Sequence, residues 1–459
     1  MARVTSARNR ESTTRSQGRI WLLLVVLASA RTLAAQQPTR ADPIEVIRAF
    51  RRVAAQDLWP GFEPATTPVE LFDGASTYLL NHPSPPDGFR PVAGQQNIYV
   101  YPGQHETVRA NTGTVVNGVP TATVDISGKA SSVDELASLL VHETFHVFQG
   151  RHYPNWGGNE MDLFTYPVDN AELLAERRLE SIALVRALGA TNQKDAGCWA
   201  ATALALRGKR FAGLAATGAA YERGVELREG LAQYVEFKSI GKPAALTVED
   251  FPPAQAQVRQ RAYASGQALA LLLDRLDSTW KSRLEGDRPV SLDELLAGRL
   301  RQVTDRAGCD FTAGETQEAR ARAQRNVADF AASLSRRKQE FLAAAGVRLE
   351  IVAGKEPLQP QAFDPWNVVI LGDKEVLHTR WLKLGNGSGA IEVLGRSGLT
   401  EAAGAHPLFN GVRKLIVTGL ADPKVSQTNG KVTLEAQGVT ATFVGSAERE
   451  SNLVRIQLP

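Results

Sequence analysis

The chain has 459 residues, of which 43% are hydrophobic and 22% are charged. This composition is ordinary for a soluble globular protein, and it excludes a collagen, a long coiled coil and a generally disordered chain. The length is sufficient for two or three domains, and the formal net charge at neutral pH is only +3.

The first 35 residues have the features of a secretory signal peptide. Several arginines precede the apolar run IWLLLVVLASA, residues 20–30, and small residues follow it. This pattern predicts cleavage after Ala34 or Ala35, so the mature chain is expected to be secreted or periplasmic. The apolar run is shorter than the roughly 20 residues that span a bilayer, and no membrane span is expected in the mature chain. An uncleaved N-terminal anchor is the alternative.

Export changes how the charge and the cysteines are interpreted. The predicted signal peptide contains six arginines and one glutamate, so the mature chain would have a net charge of −2 instead of +3. The basic character therefore belongs to the signal peptide and does not indicate binding to nucleic acid. Cys198 and Cys309 are the only cysteines. In an oxidising compartment they could form a disulfide, and two unpaired buried thiols are the alternative.

Residues 36–130 predict a small mixed α/β part of the protein. A short helix is expected around residues 43–55, where the spacing of apolar residues is helical. Two later runs, residues 96–103 and 121–127, alternate apolar and polar residues and predict strands.

The residue pattern of the remaining chain changes once, at residue 347. Residues 131–346 are rich in Ala, Leu, Arg and Glu at helical spacing, and end in a long helix that Gly346 is expected to close. Residues 347–459 contain six short β runs separated by Gly, Asn and Asp, which predict a C-terminal β-sandwich-like module. The expected fold class is α+β, with a mainly helical central domain.

The segment SSVDELASLLVHETFHVFQG, residues 131–150, predicts a helix with signals at both ends. Ser132 and Glu135 have the spacing of a capping box, and Gly150 is placed as a C-terminal stop. Between them, leucine, valine and phenylalanine side chains supply an apolar surface that can be buried.

This helix also carries a pattern typical of zinc sites. His142 and His146 are four residues apart and lie on one face, so their imidazoles can bind a single tetrahedral Zn²⁺ ion. Glu143 is displaced by about 100° around the helix axis, where it could accept a proton from a water molecule without binding the metal. The alternatives are that the two histidines have this spacing by chance, or that the site has lost its ability to bind a metal.

A catalytic zinc site usually has three protein ligands, and two stretches offer a third. The first contains Glu172, Glu176 and Glu180; the second contains Glu222, Glu226, Glu229 and Glu236 along one helical stripe. The outer members of this stripe are expected to face solvent. Glu229 is favoured, because Gly230 and Ala232 would allow another helix to approach closely.

The order of these motifs resembles the gluzincin metallopeptidases. HETFH is followed by REGLAQYVE, residues 228–236, and then by RAYASGQALALLLDRL, residues 261–276, which is similar to the Tyr-x-x-Gly helix of the aminopeptidase N and leukotriene A4 hydrolase branch. The resemblance covers residues 131 to about 280. It implies a zincin-like catalytic domain that binds Zn²⁺ and acts on a peptide or protein substrate.

The resemblance also implies a role for individual residues. Zinc would be bound by His142, His146 and Glu229, with Glu143 as the general base. Tyr263 would donate a hydrogen bond to the developing oxyanion; its alternative is an aromatic side chain that only packs at the start of a helix.

Three further features bear on the resemblance. The Gly-x-Met-Glu-Asn strand that binds a free amino terminus in aminopeptidase N is absent, which argues against an exopeptidase. The long interval between His146 and Glu229 leaves room for an inserted helical pair around residues 170–210, and it keeps the three earlier glutamates open as ligands. In gluzincins an upstream strand binds extended substrate, and residues 121–127 have the matching position.

The sequence therefore predicts an exported zinc-dependent peptidase. Two alternatives remain: a zinc amidase that acts on cell-wall material, and a non-catalytic binding or scaffold protein that retains a peptidase fold.

Overall fold

The computed structural model describes residues 41–129, 131–242, 255–284, 290–303 and 308–459. The predicted signal peptide, residues 1–35, lies outside the described residues. Within them, the protein combines α-helices with three mostly antiparallel sheets, so the mixed α and β character predicted from the sequence is confirmed. None of the described helices is both long enough and apolar enough to cross a membrane.

The N-terminal part consists of one helix and a six-stranded mixed sheet. The elements are α1 (Pro43–Val53), β1 (Val69–Phe72), β2 (Ser76–Leu80), β3 (Arg90–Pro91), β4 (Ile98–Pro102), β5 (Thr112–Val116) and β6 (Val119–Asp125). Their order in the sheet is β3-β4-β2-β1-β6-β5, and only the β1–β6 pair is parallel. The predicted helix and both predicted strands are present, as α1, β4 and β6. Strand β5 forms the edge of the sheet.

The central part is helical. Its elements are α2 (Val133–His152), a 3₁₀ turn (Glu160–Thr165), α3 (Ala171–Gly189), α4 (Gln193–Ala212), α5 (Ala216–Val225), a π-helical turn (Glu226–Gly230), α6 (Leu231–Ile240), α7 (Gln255–Leu276), α8 (Trp280–Leu284), α9 (Leu292–Val303) and α10 (Ala313–Leu342). Helices α3 and α4 pack against each other, so a helical pair is present where one was predicted, around residues 170–210. The disulfide Cys198–Cys309 joins α4 to the segment that precedes α10.

Two predicted helix ends are wrong by a few residues. The capping box of Ser132 and Glu135 is formed at the start of α2. However, α2 continues past Gly150 to His152, because the backbone N–H of Tyr153 still donates to the Gln149 carbonyl. Helix α10 ends at Leu342, and Gly346 instead turns the chain into the next strand with φ +113°, where a Cβ would lie 2.8 Å from the Leu420 carbonyl oxygen.

An aromatic cluster fixes α2 against the rest of the central part. Trp59, from the loop after α1, is 1% exposed. Its ring makes edge contacts with Phe145 of α2, Trp280 of α8 and Tyr234 of α6, at centroid distances of 5.4 to 6.2 Å. Such contacts stabilise aromatic pairs beyond their burial. The histidine-bearing helix is therefore held on its apolar side by Trp59, which in turn packs against α6 and α8.

The glutamate stripe does not face solvent as expected. Glu222 and Glu226 are 2% and 1% exposed, and both pair with arginines of α4. Glu222 lies 2.5 Å from Arg210, and Glu226 pairs with Arg207. The prediction failed because it treated a row of acids as a solvated face, whereas the neighbouring helices present guanidinium groups to it.

Glu180 is the centre of this buried charge network. Its two carboxylate oxygens lie 2.9 Å from Arg207 and 2.8 Å from Arg210, and Arg177 lies 3.0 Å away. Burial alone would raise the pKa of Glu180, but the three guanidinium groups outweigh it and hold the pKa below the ordinary 4.5. Each buried charge in this network therefore depends on its partners.

The C-terminal part is all-β, as predicted. Its strands are β7 (Val347–Val352), β8 (Gln359–Phe363), β9 (Val368–Ile370), β10 (Glu375–His378), β11 (Trp381–Asn386), β12 (Gly389–Leu394), β13 (Gly398–Ala402), β14 (Val412–Leu420), β15 (Lys424–Thr428), β16 (Lys431–Ala436), β17 (Val439–Val444), β18 (Ser446–Glu450) and β19 (Leu453–Gln457). They form two sheets, β18-β19-β7-β14-β13-β10-β9 and β15-β16-β17-β12-β11-β8. All six runs predicted from the sequence lie in these strands. This part has its own apolar core, separate from that of the helices.

The charge network predicts how stability responds to one substitution and to pH. At neutral pH, Glu180→Gln should lower the free energy of unfolding by about 3–5 kcal/mol, because it leaves buried guanidinium groups without their partner. Since the pKa of Glu180 is lowered by folding, its contribution is present above pH 4.5 and is lost as the pH falls through the folded-state pKa. The difference between parent and variant should therefore shrink in acid.

Urea unfolding followed by circular dichroism at several pH values would measure this difference. The matched control is Glu172→Gln, since Glu172 lies on the same helix but its side chain is 56% exposed; a change within about 0.5 kcal/mol is expected there. Equal stability of the parent and Glu180→Gln at neutral pH would contradict the prediction.

Candidate metal centre

Two histidines of α2 and one glutamate of the π-helical turn converge on one point. The Nε2 atoms of His142 and His146 are 3.1 Å apart. Oε2 of Glu229 lies 3.2 Å from Nε2 of His146 and 3.8 Å from Nε2 of His142. Both histidines are 7% exposed, and the Glu229 side chain is 12% exposed. Each residue offers one ligand atom, so the group could hold a metal ion.

Close glycine packing places Glu229 at this point. The π-helical turn is defined by the bond from the Leu231 N–H to the Glu226 carbonyl, five residues back. It packs directly on α7 at Gly230, where a Cβ would lie 2.6 Å from the Cα of Gly266. The close helix approach expected at Gly230 is therefore present. A larger side chain at either glycine would push α7 away from the π-helical turn.

Hydrogen bonds at the far side of each imidazole orient the rings. Nδ1 of His142 lies 3.0 Å from Oε2 of Glu236, and Nδ1 of His146 lies 2.8 Å from Oε1 of Gln149. Both partners are acceptors, so each ring is expected to carry its proton on Nδ1 and to leave the Nε2 lone pair free. Glu236, predicted as a solvated residue, is instead half-buried on His142.

The free lone pairs explain why the cluster suits a cation. With both Nδ1 atoms protonated, two Nε2 lone pairs and the Glu229 carboxylate face one another at 3.1 to 3.8 Å. Three electron-pair donors at this separation repel each other unless a metal ion or a proton lies between them. Metal-binding imidazoles usually donate their other ring N–H to an acceptor such as a carboxylate, and Glu236 and Gln149 are such acceptors here.

The electrostatics of the side chains lead to the same conclusion. Burial opposes a charge on His142, but hydrogen bonds with Glu229 and Glu236 outweigh it and raise the pKa of His142 to about 10. Burial would raise the pKa of Glu229, yet hydrogen bonds with His142 and His146 hold it well below its ordinary value. The surroundings therefore stabilise positive charge at this point, and a metal ion would take the place of the imidazole proton.

Glu143 is placed to serve the same centre. It is 5% exposed, and its Oε2 atom has no hydrogen-bond partner among the described residues. Burial raises its pKa. Glu143 and the three candidate ligands line one cavity of about 450 Å³. A buried carboxylate oxygen without a partner, beside a cluster that could hold a metal, is a feature that a bound water or substrate would explain.

Tyr263 lies at the centre together with a residue that the sequence did not indicate. Its ring is stacked nearly parallel to that of His142, with centroids 6.5 Å apart. Nη2 of Arg259, one helical turn earlier on α7, lies 2.9 Å from Oε1 of Glu229 and 3.4 Å from the Tyr263 hydroxyl. Burial and the nearby charge of Glu229 raise the pKa of Tyr263. The hydroxyl therefore stays protonated at neutral pH and can donate.

The earlier glutamates are occupied elsewhere. Both carboxylate oxygens of Glu180 are bound by arginines. Glu176 lies 2.5 Å from Lys209, and Glu172 lies 3.4 Å from Arg320. Of the candidates for the third ligand, the structure brings Glu229 to the histidines.

The predicted substrate strand needs a correction. Residues 121–125 belong to β6, which pairs with β1 on one side and with β5 on the other. Its backbone groups are therefore already used within the sheet. The edge strand next to β6 is β5, and Thr112 at its start lines the cavity of the candidate metal centre. The error arose because β5, with the sequence TGTVV, lacks the apolar alternation by which β6 was recognised.

Sequence reasoning missed several residues of the candidate site. Gln149, which bonds to His146, could have been found, since it follows His146 by three residues and lies on the same helix face. Arg228 and Gln233 flank Glu229 in the segment 228–236, but nothing in the local pattern indicates that they line the cavity. Asn111, Thr112 and Arg259 reach the cavity from other elements, so local spacing could not indicate them.

No family model matches the chain, and no curated protein and no solved structure is significantly similar to it. The interpretation of the centre therefore rests on its own geometry and chemistry.

The contact between Glu236 and His142 yields a test of the centre. Glu236→Gln should weaken metal binding about 10- to 100-fold, because residues that orient a metal-bound imidazole contribute to affinity on this scale. Competition with a chromophoric chelator would measure the affinity. Glu172→Gln is the matched control, since it makes the same chemical change away from the cavity. Unchanged affinity in Glu236→Gln would show that this contact does not support a metal.

Proposed function

We propose that the protein is an exported, zinc-dependent peptidase with a zincin-like catalytic domain of gluzincin type. The observation that carries this proposal is the convergence of His142, His146 and Glu229 beside the buried, unpartnered carboxylate oxygen of Glu143. Two imidazoles and one carboxylate are the ligand set of catalytic zinc sites that keep one position open. The spacing of the two histidines on one helix, with glutamate next to the first, supports the same class.

A bound zinc ion would supply Lewis acidity, which lowers the pKa of water and polarises a carbonyl group. The chain's own residues would then divide the remaining work. Glu143 would accept a proton from the attacking water at its free oxygen and later deliver it to the leaving amine. Its pKa is raised by burial, which brings it closer to neutral pH and makes both transfers easier.

Tyr263 would stabilise the negative charge that develops on the carbonyl oxygen. Its hydroxyl is protonated and lies in the cavity with the candidate ligands. Arg259 contacts both this hydroxyl and Glu229. It would therefore fix the position of one group that acts on the substrate and of one group that binds the metal.

The edge strand β5 supports a peptide as substrate. An extended peptide can add to an exposed sheet edge through backbone hydrogen bonds. Strand β5 packs on α2 at His146 and Val147, since the Gly113 position lies in van der Waals contact with both. A peptide paired with this edge would pass next to the histidines. The predicted signal peptide and the disulfide Cys198–Cys309 both favour an oxidising compartment outside the cytoplasm.

The proposal predicts the effect of replacing the general base. Glu143→Gln should lower kcat roughly 10²- to 10⁴-fold, because it removes proton transfer but leaves the metal ligands in place. Turnover of a quenched fluorescent peptide library and the zinc content of each protein would be measured together. About one zinc per chain is expected in parent and variant, and Glu172→Gln should behave as the parent. A zinc-loaded parent that cleaves no peptide would instead favour a binding protein, or an amidase with a different substrate.

Tyr263 gives a second test of the mechanism. Tyr263→Phe removes only the hydroxyl and should lower kcat about 10²- to 10³-fold, as expected for loss of one oxyanion donor. KM should change little, because the hydrogen bond forms mainly in the transition state. Tyr99→Phe on β4 is the matched control for loss of a phenol hydroxyl. An unchanged kcat in Tyr263→Phe would assign the ring a packing role only.

A further inference from the structure

The two basic side chains that line the metal cavity differ in their partners. Three acids line the cavity, Glu143, Glu229 and Glu236, together with two bases, Arg228 and Arg259. Glu229 and Glu236 are paired with the histidines. Arg259 is paired twice, with Glu229 at 2.9 Å and with Glu160 of the 3₁₀ turn. Arg228 is the basic side chain of this cavity that has no acidic partner among the described residues.

Arg228 is held in place without an anionic partner. It precedes Glu229 in the π-helical turn, and its backbone carbonyl accepts a hydrogen bond of 2.9 Å from the Gln149 amide. Its residue is only half-buried, and no described residue forms an ion pair or a hydrogen bond with its guanidinium group. A guanidinium is a planar fork of donors that matches a carboxylate in two parallel hydrogen bonds.

Gln233 supplies a second free group in the same cavity. It lies one turn after Glu229, and its side-chain carbonyl oxygen is buried with no hydrogen-bond partner among the described residues. Such an oxygen can only accept, so a donor such as the N–H group of a peptide would satisfy it. Leaving it unpaired is unfavourable unless a ligand satisfies it.

These two groups together define the chemistry of a ligand. We propose that Arg228 and Gln233 form a subsite for a peptide carboxylate, with Arg228 binding the carboxylate and Gln233 accepting a backbone N–H next to it. This inference rests on the proposed peptidase function and names its substrate class: peptides with a carboxylate close to the scissile bond. The carboxylate comes either from the C-terminus of the substrate or from an aspartate or glutamate side chain.

Matched peptides separate these two sources. One pair has the same neutral sequence with a free C-terminal carboxylate or a C-terminal amide. The other pair is amidated and carries glutamate or glutamine beside the scissile bond. The parent chain, loaded with zinc, should cleave the carboxylate member of one pair with a kcat/KM roughly tenfold to hundredfold higher, the range of a hydrogen bond to a charged group. The pair that shows the preference identifies the source.

Variants of Arg228 assign the preference to this residue. Arg228→Gln should abolish the preference by lowering kcat/KM for the acidic peptide alone, while Arg228→Lys should retain part of it. Arg151→Gln, an exposed arginine at the end of α2, is the matched control and should keep the full preference. Zinc content checks that each variant is folded.

The outcomes distinguish this inference from the proposed function. If the parent cleaves neutral and acidic peptides equally well, the subsite is wrong and the peptidase stands; this holds even if Arg228→Gln fails to fold. A preference that survives in a folded Arg228→Gln also overturns the subsite. If the zinc-loaded parent cleaves no peptide, the proposed function and this inference fail together.

Discussion

The position of Glu229 depends on a contact between two glycines. The π-helical turn and α7 meet at Gly230 and Gly266, where a Cβ on Gly230 would lie 2.6 Å from the opposite Cα. This approach brings Glu229 together with Tyr263 and Arg259 of α7 on the side that faces the histidines. At the start of the same turn, Glu226 is fixed by Arg207 and by Ser265 of α7. The third candidate ligand is therefore positioned by packing and by buried charge, and not by the helix that carries the histidines.

The π-helical turn also lets neighbouring glutamates serve different partners. In an ideal α-helix, residues three apart are separated by about 60° around the axis. A π turn uses more residues per turn and widens this angle. Glu226 can then point to Arg207 of α4, while Glu229 points to the histidines. The chain continues into α6, where Glu236 reaches back to His142. One stretch of sequence thus joins the charge network to the candidate metal centre.

The parts of this arrangement that follow from local spacing could be predicted from the sequence. His142, Glu143 and His146 lie within one turn of one helix, and Gly230 marked the close approach beside Glu229. Those C-terminal strands were recognised whose sequence is a short run rich in apolar residues, with glycine near its ends. Strands such as β18, with the sequence SAERE, were not, because they are polar and largely exposed. The burial of Glu222 and Glu226 could not be predicted, since it depends on arginines that become their neighbours only in the folded chain.

Contacts that form only in the folded chain also explain why the residues that line the cavity indicate more about a substrate than the motif HETFH does. In the proposed function, the histidines and Glu143 would define a reaction class, and they would do so for any acyl substrate. Arg228 and Gln233 come from the π-helical turn and α6, and what distinguishes them is that their polar groups have no partner among the described residues. Within a folded protein, buried polar groups are normally satisfied. The buried oxygen of Gln233 is not, and the guanidinium fork of Arg228 lines the same cavity without an anionic partner among the described residues, so the two together describe a ligand by complementarity. In the proposed peptidase, specificity is therefore expected to reside in the turn that positions Glu229, where Arg228 can be replaced while the three candidate metal ligands stay in place.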